Sequence, residues 1–178
     1  LERVVDGLFH LPTGLISRVP VDRLDQAQAG QTIIVELTAQ DYRPGRSPRA
    51  PFGVEAFDAA GDHVRLVYFG RTSGLARKLF PLGEKRRVSG RLALYGDMRQ
   101  IVHPDHVAAP GDETGIAVHE PVYPLTEGLT NARLSQLGAV ALERRPELLE
   151  WVDAPLLAAR GWPSWHEAMG RAHASPRD

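Results

Sequence analysis

The chain has 178 residues, 43% of them hydrophobic, enough to bury the core of one compact domain with an appendage, and its formal net charge of -1 selects no partner. The absence of cysteine excludes a disulfide framework and a thiolate metal site and fits a reducing cytoplasm. No apolar run approaches the roughly 20 residues of a membrane span, and no basic-then-apolar leader stands at the start.

Leu1 to His10 reads as a short amphipathic helix with Leu1, Val4, Val5 and Leu8 in helical spacing, stopped by Pro12 and Gly14. That spacing starts at the first residue, so the chain reads as an excerpt of a longer protein. Thr13 to Gly30 is a connector. Thr32 to Gln40 alternates as a strand, with Ile33, Val35, Leu37 and Ala39 on one face. The proline-rich loop DYRPGRSPRAP follows and projects Arg43, Arg46 and Arg49, because proline cannot continue a sheet ladder. Phe52 to Asp58 is the second strand, and a hairpin turn at Ala59 to Asp62 leads into the third.

The third strand, His63 to Phe69, puts Val64, Leu66 and Tyr68 on one face and Arg65, Val67 and Phe69 on the other. Thr72 or Ser73 caps a short helix that Pro81 and Gly83 end. The fourth strand runs from about Glu84 to Tyr95, with Val88, Leu92 and Leu94 inward and Arg87, Arg91 and Tyr95 outward. Gly96 and Asp97 turn the chain into a fifth strand, Met98 to His106. Three strands, a helix and two strands form the order of an OB-fold, a five-stranded Greek-key barrel that holds oligonucleotides on its strand 2 and 3 face and on its first and last hairpin loops. The fold class expected is mainly β with flanking helices, the barrel being followed by a small helical segment.

Ala108 to His119 is a linker rich in Gly, Pro and acid. Thr130 and Asp153 then cap two helices, the second stopping at Gly161, and Ser164 with Glu167 makes a capping box for a third. The expected organisation is a helix and connector over 1–30, the barrel over 31–108 and a helical linker over 109–178. The ending, AHASPRD, completes no element, and the native chain is expected to continue.

Twelve Lys and Arg against seven Asp and Glu lie between Asp41 and Asp105, leaving nine against fifteen elsewhere, an asymmetry that points the middle of the chain toward nucleic acid. An Arg-rich solvated surface is the plain alternative. Phe69, just before Gly70 and Arg71, either presents a ring for base stacking or folds under the next helix as core. Tyr95, at a hairpin tip, offers a second ring. Three arginines on a stiffened loop suit phosphate contacts, which make binding salt-dependent. His103, Asp105 and His106 in HPDH do not make a metal site, because Pro104 bends the chain between them and no fourth ligand is evident. Ser73 or Ser89 could be paired with a histidine for hydrolysis, but no nucleophile elbow supports it, and a GxxxxGK[ST] phosphate loop is absent.

Several segments together resemble the RecG family of ATP-dependent DNA helicases, which remodel stalled forks and branched junctions. They are DGLFHLP at Asp6 to Pro12, the following Arg18, LVYFG at Leu66 to Gly70, QIVHPD at Gln100 to Asp105, VYPLTEGL at Val122 to Leu129 and EAMGRAHASP at Glu167 to Pro176. They occur in the family's order over nearly the whole chain.

The resemblance implies that the barrel is the family's wedge, which splits the arms of a fork, and that two helicase domains after this sequence hydrolyse ATP with magnesium. It also implies that Phe69 stacks against a base at the branch point. Some relatives carry a second aromatic where Ser73 stands, so here the wedge leans on Phe69 with Arg71 or on another ring. Leu15 stands where an aromatic is usual and Ser17 where an acid is usual, which leaves an ion pair between that site and Arg18 unsupported.

The function expected is thus a DNA-binding wedge for replication forks and Holliday-type junctions. Phe69 caps the junction, Tyr95 stacks on a displaced base, and Arg43, Arg46, Arg49, Arg71, Arg87, Arg91 and Arg99 hold phosphates. Nothing resembles a groove-reading helix, so affinity is for structure and backbone and not for base sequence. The fragment itself is expected to be no enzyme, to need no cofactor or metal, to touch no membrane, and to be a monomer of the bacterial cytoplasm and nucleoid. The alternative is a protein-interaction module, docking a single-strand-binding protein or the helicase core beside Val67 and Phe69; a plain single-strand binder is a third reading.

Overall fold

Strand alternation around Ile33, Val35 and Leu37 builds the longest strand of the molecule, Thr32–Arg43, and the other strands are arranged on it. The computed structural model describes residues 3–47, 50–70, 72–109, 111–112, 115–125 and 128–173. They fall into two compact units, Ser17–Val118 and a discontinuous unit of Leu1–Ile16 with His119–Asp178. The expected boundaries at 30/31 and 108/109 thus lie inside the first unit. None of the described helices is long and apolar enough to cross a membrane.

In chain order the elements are α1 (Val4–Phe9), β1 (Gly14–Ser17), β2 (Val19–Pro20), β3 (Thr32–Arg43), β4 (Phe52–Phe57), β5 (His63–Tyr68), α2 (Ser73–Leu79), β6 (Lys85–Tyr95), β7 (Met98–Val102), β8 (His106–Ala108), β9 (His119–Val122), α3 (Asn131–Glu143), α4 (Ala154–Arg160) and α5 (Trp165–His173). Antiparallel pairs join β3 to β4, β4 to β5, β7 to β6 and β6 back to β3, while β5 and β7 run parallel. The order β3-β4-β5-β7-β6 therefore closes on itself, with α2 between the third and fourth barrel strands. This is the OB-fold.

Inward-facing Ile33, Val35, Leu37, Val54, Val64, Leu66, Val88, Leu92 and Ile101 are at most 1% exposed, and Ala76 of α2 and the following Phe80 are fully buried in the same core. Gly90 is required where β6 crosses β7, since an added Cβ would stand 2.3 Å from Ile101 Cγ2.

Several elements differ from the sequence reading. A β-bulge between Ala39 and Asp41 carries β3 past its expected end, so Arg43 sits on a strand and not on the loop. The bulge turns Tyr42 so that its hydroxyl donates to the Phe80 carbonyl (2.7 Å) and its ring packs on Phe52. Leu94, expected inward, is 57% exposed, because β6 has run beyond the barrel at that point. The expected fifth strand breaks at His103 (φ 46°) and Pro104 into β7 and β8. Thr72 stands at the N-cap of α2 without a side-chain capping bond, and so does Asp153 at α4. The connector and the linker hold the short strands β1, β2 and β9, whose two to four residues carry no readable alternation.

In the discontinuous unit α1 packs on α3, with Gly7 so close to Ala141 that an added Cβ would be 3.2 Å from it. Two of the three expected caps in this unit form: Thr130 Oγ1 accepts from the Arg133 amide and Ser164 Oγ from the Glu167 amide. Buried His173 ties this unit together. Its Nε2 donates to the Leu8 carbonyl (2.7 Å), a pure acceptor, which leaves Nδ1 to accept from the Tyr123 hydroxyl (3.0 Å). Leu8, Tyr123 and His173 come from three of the motif segments quoted above, drawn together by this pair of bonds.

Candidate nucleic-acid interface

Across the outer face of the barrel the pairing register sets Arg43, Gly53, Val67 and Val102 in one row and Asp41, Glu55, Arg65 and Gln100 in the next. A groove of about 530 Å³ is lined by the whole first row and by Arg65 and Gln100 of the second. Besides Gly53, Val67 and Val102 of the sheet, it is lined by the loop residues Pro44, Arg46 and Pro51, by Phe69 and Tyr95, and by Arg43 and Arg65. Gly53 leaves room for both flanking side chains, since a Cβ there would lie 3.4 Å from Arg43 Cβ and from Arg65 Cδ.

Phe69 is half exposed, at 49%, and its backbone is held on three sides. Its amide donates to His103 Nε2 (3.2 Å), Thr72 Oγ1 donates to its carbonyl (2.9 Å), and Gly70 leaves it with φ 76°, a conformation open to glycine. The His103 ring lies 5.8 Å from the Phe69 ring at 42°, and the His103 amide donates to the Val67 carbonyl. The HPD segment thus supports the strand end that carries the ring. Tyr95 is 77% exposed at the end of β6, just before Gly96 of the hairpin turn.

The same segment anchors the barrel. Arg18, 3% exposed, donates from Nε to Ser89 Oγ (2.9 Å), from Nη1 to the Ala117 carbonyl (3.0 Å) and from Nη2 to Asp105 Oδ2 (2.8 Å). Burial opposes charge on Asp105, but the hydrogen bonds from Arg18 and Ser89 and the Arg18 charge outweigh it and hold the carboxyl below its usual range. Arg18 therefore has its acid after all, supplied from far along the chain and not from position 17. Asp105 is committed to this pair and His103 to Phe69; among the described residues no group of three or more His, Asp and Glu is placed to hold a metal ion.

Of the residues expected to meet DNA, Arg43, Arg46, Phe69 and Tyr95 line one groove. Three do not. Arg87 pairs in register with Glu36 and lines a different depression with Pro20 and Val21, Arg91 lies opposite Thr32, and Arg99 points its Nη1 to Asp62 Oδ1 (3.4 Å). Arg87 and Arg91 part from the groove because β6 curls around the barrel, so outward residues at its start and at its end face different directions; Arg99, on β7, has the opposite parity to groove-lining Gln100 and Val102. Arg49 and Arg71 lie outside the described residues.

Arg65 and Glu55 were missed. Arg65 shares the alternating face of Phe69, a signal present in the sequence. Glu55 becomes visible only through register, which sets it directly opposite Arg65. Its carboxylate, on a residue 7% exposed, accepts from Arg65 Nε (2.7 Å), bonds His63 Nε2, and lies 3.9 Å from Arg43 Nε.

No family model matches the chain. Among curated proteins it is similar to the ATP-dependent DNA helicase RecG of Acidithiobacillus ferridurans, 28% identical over 185 aligned positions that take in 98% of this chain and 25% of that protein. Among solved structures it is similar to RecG in a complex described as RecG bound to a three-way DNA junction, with a TM-score of 0.71 and 17% identity over 99% of this chain and 24% of that one. The chain spans about a quarter of the length of the relatives it matches. The sequence likeness to RecG and the fold shared with it each run nearly the full length of the chain.

Proposed function

We propose that the groove between Phe69, Tyr95 and the Arg46 loop grips DNA at a branch point, and that the barrel acts as the wedge that separates the strands there. The observation that carries this reading is the meeting, on the OB face, of Arg43, Arg46 and Arg65 with two exposed rings and with apolar Val67 and Val102. Guanidinium groups beside flat rings suit a backbone that must be held while an unstacked base finds a surface. The half-exposed Phe69, backed by His103 and fixed through its backbone, fits a ring that must not yield when strands are pushed apart. The junction complex of a RecG of the same fold supports the choice of branched over plain DNA. ATP and magnesium then act in the remaining three quarters of a helicase like the relatives, and this chain supplies grip and geometry. The protein acts in the bacterial cytoplasm at the nucleoid.

The test is binding of a labelled three-way fork, an unbranched duplex and a single strand in a salt titration. The fork is expected to bind tightest, with a steep salt slope, and Phe69→Ala is expected to cost roughly 1–3 kcal/mol on the fork, the range for one base on an aromatic platform. The exposed apolar residue Val102 next to Val67 favours one other reading, a docking groove for a protein segment such as a single-strand-binding protein's tail. Fork affinity unchanged in Phe69→Ala and in a loop-arginine variant supports docking and rejects the wedge.

A further inference from the structure

A carboxylate buried under a cationic groove is out of place in a site for a polyanion, because it repels the ligand and is costly to desolvate. Glu55 is such a group, 7% exposed and one register row from groove-lining Gly53 and Val67. Its Oε1 accepts from Arg65 Nε at 2.7 Å and lies 3.9 Å from Arg43 Nε, and its Oε2 bonds His63 Nε2. Arg43 and Arg65 thus reach over Gly53 from opposite sides and meet one carboxylate.

The atom that Glu55 takes decides what it does. A guanidinium has a side edge, Nε with one terminal nitrogen, and an end edge of two terminal nitrogens, and either edge suits a phosphate. With Nε committed to Glu55, Arg65 keeps its end edge, and no other described residue takes its terminal nitrogens. Arg43 gives one terminal nitrogen to Asp41 at 3.2 Å while its Nε faces Glu55. Long cationic side chains otherwise lose rotamer freedom each time they meet a phosphate, and a fixed Nε removes much of that loss before binding.

We infer that Glu55 is a positioning residue of the groove: it holds Arg65, and with it Arg43, as pre-aligned donors to a phosphate of the bound strand. This rests on the reading that the groove binds DNA. It opposes the simple electrostatic expectation, because removing a negative charge from a polyanion site should tighten binding. In the positioning account, losing alignment outweighs losing repulsion.

The experiment measures fork affinity across salt for Glu55→Ala, Glu55→Gln, Arg65→Ala and Arg43→Ala, and for Glu55→Ala combined with Arg65→Ala, each checked by thermal melting. Glu55→Ala is expected to weaken the fork roughly three- to tenfold and to flatten the log K against log salt line by up to about one unit, as loss of one phosphate contact does. Glu55→Gln, which keeps one acceptor oxygen, should fall between wild type and Glu55→Ala. In the Arg65→Ala background Glu55→Ala should have little further effect. Equal or tighter binding by both Glu55 variants, while Arg65→Ala weakens it, overturns the positioning role and leaves the groove intact. If Arg65→Ala and Arg43→Ala both leave fork binding unchanged, the groove reading falls and takes this inference with it. Should Glu55→Ala fail to fold, Glu55→Gln decides: weaker binding with a flatter slope supports the role, and tighter binding overturns it.

Discussion

Arg18 and Arg65 belong to the same barrel and both contact a carboxylate, yet they are built for opposite ends. Arg18 is 3% exposed and each of its three nitrogens is bonded inside the protein, to Ser89, Ala117 and Asp105. Arg65 commits only Nε, to Glu55, and turns the rest of its guanidinium to a groove. A guanidinium held at all three nitrogens is a rivet, whereas one fixed by a single nitrogen remains available to something outside. The difference lies in how many donors the fold consumes, which neither charge counting nor hydropathy records.

The comparison breaks first at the rivet. Asp105→Asn should cost about 2–3 kcal/mol, the lower part of the range for breaking a buried pair, because the aspartate side chain is 35% exposed and water screens part of the loss. Thermal melting should show it as a drop of roughly 5–10 °C, whereas Arg65→Ala should cost less, because His63 and Arg43 remain beside the Glu55 carboxylate. A comparable melting loss in Arg65→Ala would place that residue among the structural arginines.

The next effect is on binding alone. Phe69→Ala should lose the roughly 1–3 kcal/mol of fork affinity given above with its melting temperature nearly unchanged, since half of the ring is already exposed. In the discontinuous unit Tyr123→Phe, which leaves His173 Nδ1 without its donor, should cost about 1 kcal/mol of stability and leave binding untouched. Hydrogen exchange of the Leu8 and Tyr123 neighbourhoods would report that loss locally.

The smallest effect is a shift in acid tolerance. Asp105 and Asp58 are both pushed up by burial but lowered on balance, Asp105 by Arg18 and Ser89 and Asp58 by the amides of Leu24, Asp62 and Ala60. The unfolded chain therefore takes up these protons at a higher pH than the folded barrel does. Their contribution to stability is fully present above the ordinary carboxylate range, near pH 4, and is lost as pH falls through the lowered values. A stability–pH curve should fall on its acid side, and Asp105→Asn should flatten that fall.

Much of the barrel was legible before the structure, because the residues whose alternation marked them as inward, Ile33, Val35, Leu37, Ala39, Val64, Leu66, Tyr68, Val88 and Leu92, are buried in its core. Tyr42 was not, since a bulge changes its face and no periodic rule signals a bulge. Leu94 has the parity of a core residue but lies past the barrel's end, where parity has nothing to face. Arg87 and Arg91 read as outward and are exposed; that they turn away from the groove follows from barrel curvature, which alternation does not carry. Glu55 needed the strand register, and the joining of Leu8 to His173 needed contacts 165 residues apart. The motif segments were found as separate strings, and their physical connection, Arg18 to Asp105 and His103 to Phe69, appears only in three dimensions.

The most direct measurement removes the same charge from two places on one barrel. Arg43 and Arg46 line the groove and Arg87 and Arg91 do not, so the two double-alanine variants have equal net charge and differ only in where the charge was lost. Fork binding across salt should lose roughly two units of log–log slope and the larger part of its affinity in the Arg43/Arg46 variant. The Arg87/Arg91 variant should remain close to wild type. Equal losses in both would mean that DNA responds to the overall charge of the barrel, and the groove would have no special claim on it.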